Sequence, residues 1–128
     1  MKTLLFRLLV LTFLCTAAIE IGSAVAQSSP SAFDGKWHGE RIDVSNDFIC
    51  NVTDISGTVS GGQISFRLHY NDTQLTGQIG PDGSFDLEGD HDRWEYEFSG
   101  KAVGDKIAGT WSVGNAPCRG TWWVKRVK

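Results

Sequence analysis

The tripeptide Gly-x-Trp occurs three times in this chain, and its spacing limits what the chain can fold into. The copies are Gly35-Lys36-Trp37, Gly109-Thr110-Trp111 and Gly120-Thr121-Trp122. Residues two apart on a β-strand lie on the same face, so each glycine lies beside its tryptophan. Glycine leaves room and the indole fills it, which suits the tapering interior of a small closed sheet. The three copies therefore predict the first strand and the last two strands of one barrel.

The rest of the chain alternates apolar and polar residues, which is the period of half-buried β-strands. Turn residues interrupt the alternation, most strongly at Gly61-Gly62 and Gly80-Pro81-Asp82-Gly83. Eight strands are predicted, at about 34–42, 48–59, 63–70, 73–79, 85–89, 93–102, 107–113 and 118–125, with a bulge near Ser56-Gly57 in the second. Because closing hides the sheet edges, an all-β, eight-stranded antiparallel up-and-down barrel is predicted, with a β-sandwich as the alternative.

The first 26 residues have the composition of a secretory signal peptide. Lys2 and Arg7 precede an apolar run, and Ala24-Val25-Ala26 places small residues where a signal peptidase cleaves. We predict cleavage before Gln27, a flexible lead-in over 27–32, a single barrel domain over 33–128, and a secreted or periplasmic location. The alternative is an uncleaved anchor, although the run is short for a membrane span, so no membrane insertion is expected after cleavage.

The charge of the mature domain argues against a polyanionic partner. The leader contributes a net +1, so the formal charge of −3 for the whole chain becomes −4 after cleavage. A mildly acidic domain is a poor candidate for binding nucleic acid or an anionic membrane.

Two cysteines support the closed form of the sheet. Cys50 on the second strand and Cys118 on the last are predicted to face inward. In a closed barrel both strands flank the first strand, whereas in an open sheet they would be far apart. Two cysteines in a secreted chain most often pair, and a loop of about seventy residues contributes on the order of 4 kcal/mol in the chain-entropy model. Without Cys-x-x-Cys or a histidine at ligand spacing, neither a redox nor a metal role is predicted.

The predicted interior is rich in aromatic side chains. By parity the inward residues are Trp37, Phe48, Val52, Ile64, Phe66, Leu68, Tyr70, Leu75, Ile79, Phe85, Leu87, Trp94, Tyr96, Phe98, Ile107, Trp111, Val113, Trp122 and Val124. An eight-stranded barrel is just wide enough for side chains to fill it. The aromatic set is therefore either simply the core or, at Tyr70, Trp94, Tyr96 and Trp111, the lining of a shallow mouth for a small apolar or ring-shaped ligand.

The sequence does not bring catalytic or metal-binding groups together. His38, His69 and His91 are scattered, and none has a partner at ligand spacing or a serine arranged for nucleophilic catalysis. An acidic hairpin comprises Asp86, Glu88, Asp90, Asp92, Glu95 and Glu97, and alternation directs most of these carboxylates outward. A solvated outer face is favoured there over a cation site. No catalytic residue, metal or cofactor is predicted, and no enzyme is expected.

Trp123 is predicted to face outward, next to the inward Trp122. An exposed tryptophan on a strand often marks a contact surface. Together with Ile42 and Val127, it is a predicted contact site for a protein partner or a dimer. The alternative is that Trp123 packs under the N-terminal segment around Phe33.

A Gly-x-Trp on the first of eight meandering strands, with a basic residue on the last, resembles the lipocalin and avidin (calycin-like) group. The matching residues are Gly35, Trp37 and either Arg126 or Arg119. In that group the arginine packs over the tryptophan and closes the barrel end. The predicted barrel-closing residues are thus Gly35, Trp37, Gly109, Gly120, Trp122 and Arg126.

The chain is also similar to short secreted bacterial β-barrel proteins of largely unassigned function. The similarity rests on Gly35-Lys36-Trp37, Asp82-Gly83 and the final Cys118-Arg119-Gly120-Thr121-Trp122. The second resemblance implies a secreted barrel, and the first implies that it binds a small molecule at its mouth. The outward Trp123 adds binding of a protein through the outer face as the other expected function. A metal-dependent or hydrolytic enzyme, and a barrel resembling protease inhibitors, are the alternatives.

Overall fold

The computed structural model describes residues 30–47 and 50–128, which form a closed barrel. After a short 3-10 helix, Pro30–Phe33, come β1 Gly35–Asp43, β2 Thr53–Ser60, β3 Gln63–Leu68, β4 Gln74–Gln78, β5 Ser84–His91, β6 Trp94–Val103, β7 Lys106–Val113 and β8 Arg119–Arg126. Each strand pairs antiparallel with the next, and β1 pairs with β8. The predicted up-and-down barrel is confirmed. The predicted signal peptide and Phe48 lie outside the described residues, within which no helix is long and apolar enough to cross a membrane.

The Gly-x-Trp copies on β7 and β8 face each other in a crossed register. Gly109 lies opposite Trp122, and Trp111 lies opposite Gly120. The Trp122 indole N–H donates to the Ser99 carbonyl on β6 at 3.1 Å. The Trp111 indole N–H donates to the Ile42 carbonyl on β1 at 2.9 Å. Each indole therefore reaches past the glycine of its partner strand to the backbone of the strand beyond.

Other large inward side chains also lie opposite a glycine of a neighbouring strand. The pairs are Phe66 with Gly57, Trp37 with Gly57, Phe85 with Gly100 and Tyr96 with Gly89. At the centre of the barrel, Trp122 makes edge-to-face contacts with Phe66, Phe85 and Phe98 at centroid distances of 6.2, 5.6 and 5.5 Å. Such edge-to-face packing is a favoured aromatic geometry. Glycine thus makes space for a ring from the strand beside it.

The second strand differs from its prediction in three ways. It begins at Thr53 rather than at residue 48, and Val52 is 62% exposed rather than inward. The predicted bulge is also wrong, because β1 and β3 both pair with β2 in unbroken register. Parity applies only within a strand, and the segment that carries Cys50 is not part of β2. Alternation counted from Cys50 therefore assigned Val52 to the inner face of the sheet, which is wrong.

One end of the barrel is closed by the N-terminal segment and β8. The Arg126 guanidinium lies over the Trp37 ring, with its central carbon 4.7 Å from the ring centroid. It donates to the Ala32 and Asp34 carbonyls and to the Asp105 carboxylate. Arg126, rather than Arg119, is therefore the residue that packs over Trp37.

The Cys50–Cys118 disulfide lies at the other end of the barrel, and the predicted pairing is confirmed. Cys118 comes directly before β8, and Cys50 precedes β2, so the bond joins chain segments on both sides of β1. The shortest register among the described strands is that of β4 with β5, which has one pair, Thr76 with Glu88, while the two strands stay in close contact.

Gly120→Ala is expected to lower the free energy of unfolding by about 1–3 kcal/mol, as overpacking of a filled core does. A Cβ at Gly120 would lie 1.8 Å from the Ile42 carbonyl oxygen and 2.7 Å from Trp111 Nε1, so it would disrupt the hydrogen bond between them. Urea denaturation measures the change. Gly114→Ala is the control, since its Cβ would meet nothing closer than 3.5 Å. Equal stability of the two variants would contradict this account of the crossed register.

Candidate functional site

A pocket of about 260 Å³ lies at the disulfide end of the barrel, which we call the mouth. Turns between consecutive strands supply most of its wall. It is lined by Arg41, Cys50, Tyr70, Asn71, His91, Asp92, Trp94, Tyr96, Val113, Ala116 and Cys118. This volume is close to the lower end of the range for small-molecule sites.

Three of the four predicted mouth residues line this pocket, and one does not. Tyr70, Trp94 and Tyr96 are in its wall. Tyr70 follows β3 rather than belonging to it, and it is 43% exposed rather than inward. Trp111 is only 2% exposed and lies beneath Arg41 instead of in the wall. Trp111 and Tyr96 both belong to the buried core, and Tyr96 also reaches the pocket wall, while Tyr70 and Trp94 lie at the rim.

Arg41 is the residue that the sequence analysis missed. It lies on β1 in the same alternation as Trp37 and Gly39, so its side chain enters the barrel, where the residue is only 1% exposed. Its guanidinium lies between two rings, with Cζ 4.8 Å from the Tyr70 centroid and 4.2 Å from the Trp111 centroid. An arginine between two aromatic faces is held by cation–π attraction and by stacking.

The hydrogen bonds of Arg41 leave much of its donor capacity unused. Nη2 donates to the Asn51 carbonyl, while Nε is buried without a partner. The ion pairs among the described residues do not include Arg41. Arg126, at the opposite end, differs in having two carbonyls and one carboxylate as acceptors. A guanidinium has five N–H donors, and among the described residues only one acceptor is placed to receive a hydrogen bond from Arg41.

A chain of hydrogen bonds fixes the two tyrosines of the wall. The Thr73 backbone N–H and hydroxyl both donate to Asn71 Oδ1, at 3.1 and 2.6 Å. This orients the Asn71 amide so that Nδ2 donates to the Tyr96 hydroxyl at 3.0 Å. The Tyr96 hydroxyl is in turn hydrogen-bonded to that of Tyr70. With one hydrogen used in the bond between the two tyrosines, the other hydroxyl hydrogen is left for a ligand or solvent.

Burial, and after it the hydrogen bond to Tyr70, raises the pKa of Tyr96 to about 12. Desolvation disfavours the charged phenolate, so Tyr96 stays neutral at physiological pH. The mouth therefore presents a neutral tyrosine pair beside a positive guanidinium.

On the outer face, the sheet brings together polar groups that are far apart in the sequence. His69 Nε2 lies 2.6 Å from Ser56 Oγ, although the sequence analysis found no serine arranged beside a histidine. The rings of His38 and His69 are 6.2 Å apart, and His38 Nε2 lies 3.6 Å from Asp54 Oδ2. These groups lie on an exposed sheet surface rather than in a cleft.

The acidic hairpin lies on β5 and β6, and its carboxylates are exposed, as predicted. His91 Nε2 and Asp92 Oδ2 are 3.5 Å apart at the turn. Within residues 30–47 and 50–128, no group of three or more acidic, histidine or cysteine side chains is placed to hold a metal ion.

The three predicted partner-contact residues do not form one patch. Trp123 is half-buried opposite Glu40, with Lys125 Nζ 5.5 Å from its ring, while Ile42 lies diagonally beside it. Val127 is four residues further along the chain, roughly 13 Å at the rise of a strand. Phe33, the suggested cover for Trp123, is instead buried in the core, and its carbonyl accepts the Trp37 indole N–H at 3.0 Å.

Comparison of the chain with protein-family models, with curated proteins and with solved structures gave no match. The resemblance to the lipocalin and avidin group stays a prediction.

One tyrosine of the folded protein is expected to ionise near pH 12, and Tyr96→Phe is expected to remove that step. Ultraviolet absorbance of tyrosinate measures it, and the chain has two tyrosines. Because the folded pKa is raised, the stability that Tyr96 contributes is complete below about pH 10, the unfolded value, and is lost as pH rises through about 12. A wild-type titration without a step near pH 12 that Tyr96→Phe removes would contradict the burial and hydrogen bonding of Tyr96.

Proposed function

We propose that this protein is a non-catalytic, secreted or periplasmic barrel that binds a small molecule with a flat apolar ring at its mouth. The observation that carries the proposal is the pocket itself, where Tyr70, Trp94 and Tyr96 present aromatic surface around a space of about 260 Å³. Small-molecule sites combine such apolar walls with a few polar groups that fix the orientation of the ligand. Here Arg41, Asn71 and the tyrosine hydroxyls are those polar groups.

The wall of the pocket is fixed before any ligand enters. Asn71 holds Tyr96, Tyr96 holds Tyr70, and Tyr70 in turn covers Arg41. The disulfide contributes both of its residues to the same wall. A site ordered in advance loses less conformational entropy on binding, which favours affinity. The signal peptide expected over 1–26 and the disulfide both support an oxidising compartment.

Two other functions have less support. The Ser56–His69 pair is an observation in favour of hydrolysis, but it lies on an open sheet surface without a cleft that would exclude water. A protein contact through the outer face rests on Trp123 and Ile42, which are flanked by Glu40 and Lys125. The likeness in size to protease inhibitors adds no site of its own.

The indole N–H signals in a proton–nitrogen NMR spectrum test the proposed site, because the five tryptophans sample different parts of the barrel. Titration with 2-naphthamide, a neutral ring compound, is expected to shift the signals of Trp94 and Trp111, near the mouth. The signals of Trp37, at the closed end, and Trp123, on the outer face, are expected to stay in place. Trp94→Ala should weaken binding by about tenfold, as loss of a ring contact of about 1 kcal/mol or more does.

Trp123→Phe is the matched control and should bind 2-naphthamide as the wild type does. Shifts confined to Trp123 would overturn the mouth site. Turnover of p-nitrophenyl acetate by the wild type but not by Ser56→Ala would favour the hydrolytic alternative.

A further inference from the structure

Arg41 points to the chemical class of the ligand. We propose that the mouth binds a small aromatic acid, whose carboxylate is held by the Arg41 guanidinium while its ring occupies the aromatic wall. This inference rests on the proposed ring-binding site and adds a charge requirement to it.

The position of Arg41 is unfavourable for the protein alone. A buried charge is normally paired, because removing it from water costs several kcal/mol in free energy. Arg41 is 1% exposed, yet it has one carbonyl acceptor, an unpartnered Nε and no ion pair among the described residues. A purely structural filler between Tyr70 and Trp111 would be better served by an apolar side chain of similar length. The unused donors instead match a ligand that carries the missing negative charge.

Arg126 shows what a structural arginine looks like in this same barrel. It also lies over a tryptophan, but its guanidinium is paired with the Asp105 carboxylate at 2.8 Å and with two backbone carbonyls. The two arginines have similar ring contacts and opposite states of pairing. The one without an ion pair among the described residues, Arg41, is at the end of the barrel that has the pocket.

The geometry around Arg41 selects a planar anion. The rings of Tyr70 and Trp111 cover the Arg41 guanidinium, so its edge is left for hydrogen bonding. The tyrosine pair supplies a further hydroxyl hydrogen within the same pocket. A carboxylate has two acceptor oxygens and can take an N–H from Arg41 together with a hydroxyl from the pair.

Other ligand charges fit the mouth less well. A neutral ligand would leave the Arg41 charge without an anionic partner, and a cation would be repelled by Arg41. The one carboxylate in the pocket wall, that of Asp92, is 83% exposed and lies 3.5 Å from His91, so it projects toward solvent at the rim.

Isothermal titration calorimetry with 2-naphthoate and 2-naphthamide tests the charge requirement, because the two probes share a ring system and differ in charge. The wild type is expected to bind 2-naphthoate at least ~10-fold more tightly than 2-naphthamide, as for loss of one charge-assisted hydrogen bond. Arg41→Met should remove this preference, so that the variant binds 2-naphthoate and 2-naphthamide with affinities within about twofold of each other. Arg126→Met is the control and should leave the preference unchanged.

Thermal unfolding without ligand tests whether Arg41 stabilises the fold, as Arg126 does, or serves binding alone. Arg41→Met is expected to keep or raise the melting temperature, because it removes an unpaired buried charge, whereas Arg126→Met is expected to lower it. If Arg41→Met does not fold, Arg41→Lys keeps the charge without the planar fork and should still weaken 2-naphthoate selectively.

Each binding outcome separates the two proposals. Equal affinity of the wild type for both probes, with NMR shifts at Trp94, would overturn the charge requirement and leave the ring site standing. Unchanged preference for 2-naphthoate in Arg41→Met would also overturn it. Failure of both probes to bind would overturn the ring site and this inference together.

Discussion

The barrel depends on indole N–H groups that donate to backbone carbonyls past a glycine of the partner strand. Trp111 reaches the Ile42 carbonyl beyond Gly120, and Trp122 reaches the Ser99 carbonyl beyond Gly109. A buried indole N–H must find an acceptor, and in a closed sheet an accessible carbonyl is that of a nearby strand. The hydrogen bond therefore requires a ring on one strand and no side chain on the next. This one requirement accounts for the Gly-x-Trp spacing of the copies on β7 and β8, and it adds side-chain hydrogen bonds to the backbone ladders that join β6, β7, β8 and β1.

The two ends of the barrel use the same pair of residue types in different ways. At the closed end Arg126 covers Trp37, and its donors are met by the chain itself. At the mouth Arg41 covers Trp111, and most of its donors are unmet by described residues. The closed end gains stability from its arginine. The mouth holds a charge that is costly until a suitable anion arrives, and so the end with the pocket is also the end with chemical selectivity.

Local periodicity was enough to predict the strands, their closure and the disulfide, because the face of a residue follows from counting within a strand. Counting failed at Val52, because it passed through the irregular segment before β2, and at Tyr70, which lies beyond the end of β3. Arg41 was detectable by the same parity as Trp37, but the predicted interior was limited to apolar residues. The Ser56–His69 contact was out of reach, because it depends on a diagonal relation between strands that a single sequence does not contain.

Backbone pairing around the barrel is sparsest between β4 and β5. This seam has one register pair, whereas β6 and β7 share eight. The tryptophan hydrogen bonds lie on the other side, among β6, β7, β8 and β1. Brief local opening, and with it exchange of backbone amide hydrogens with solvent, will begin between β4 and β5 and spread outward from there. Asn71 lies in the turn before β4 and His91 is the last residue of β5, so we expect a fluctuation that loosens this seam to widen the entrance for an incoming molecule as well.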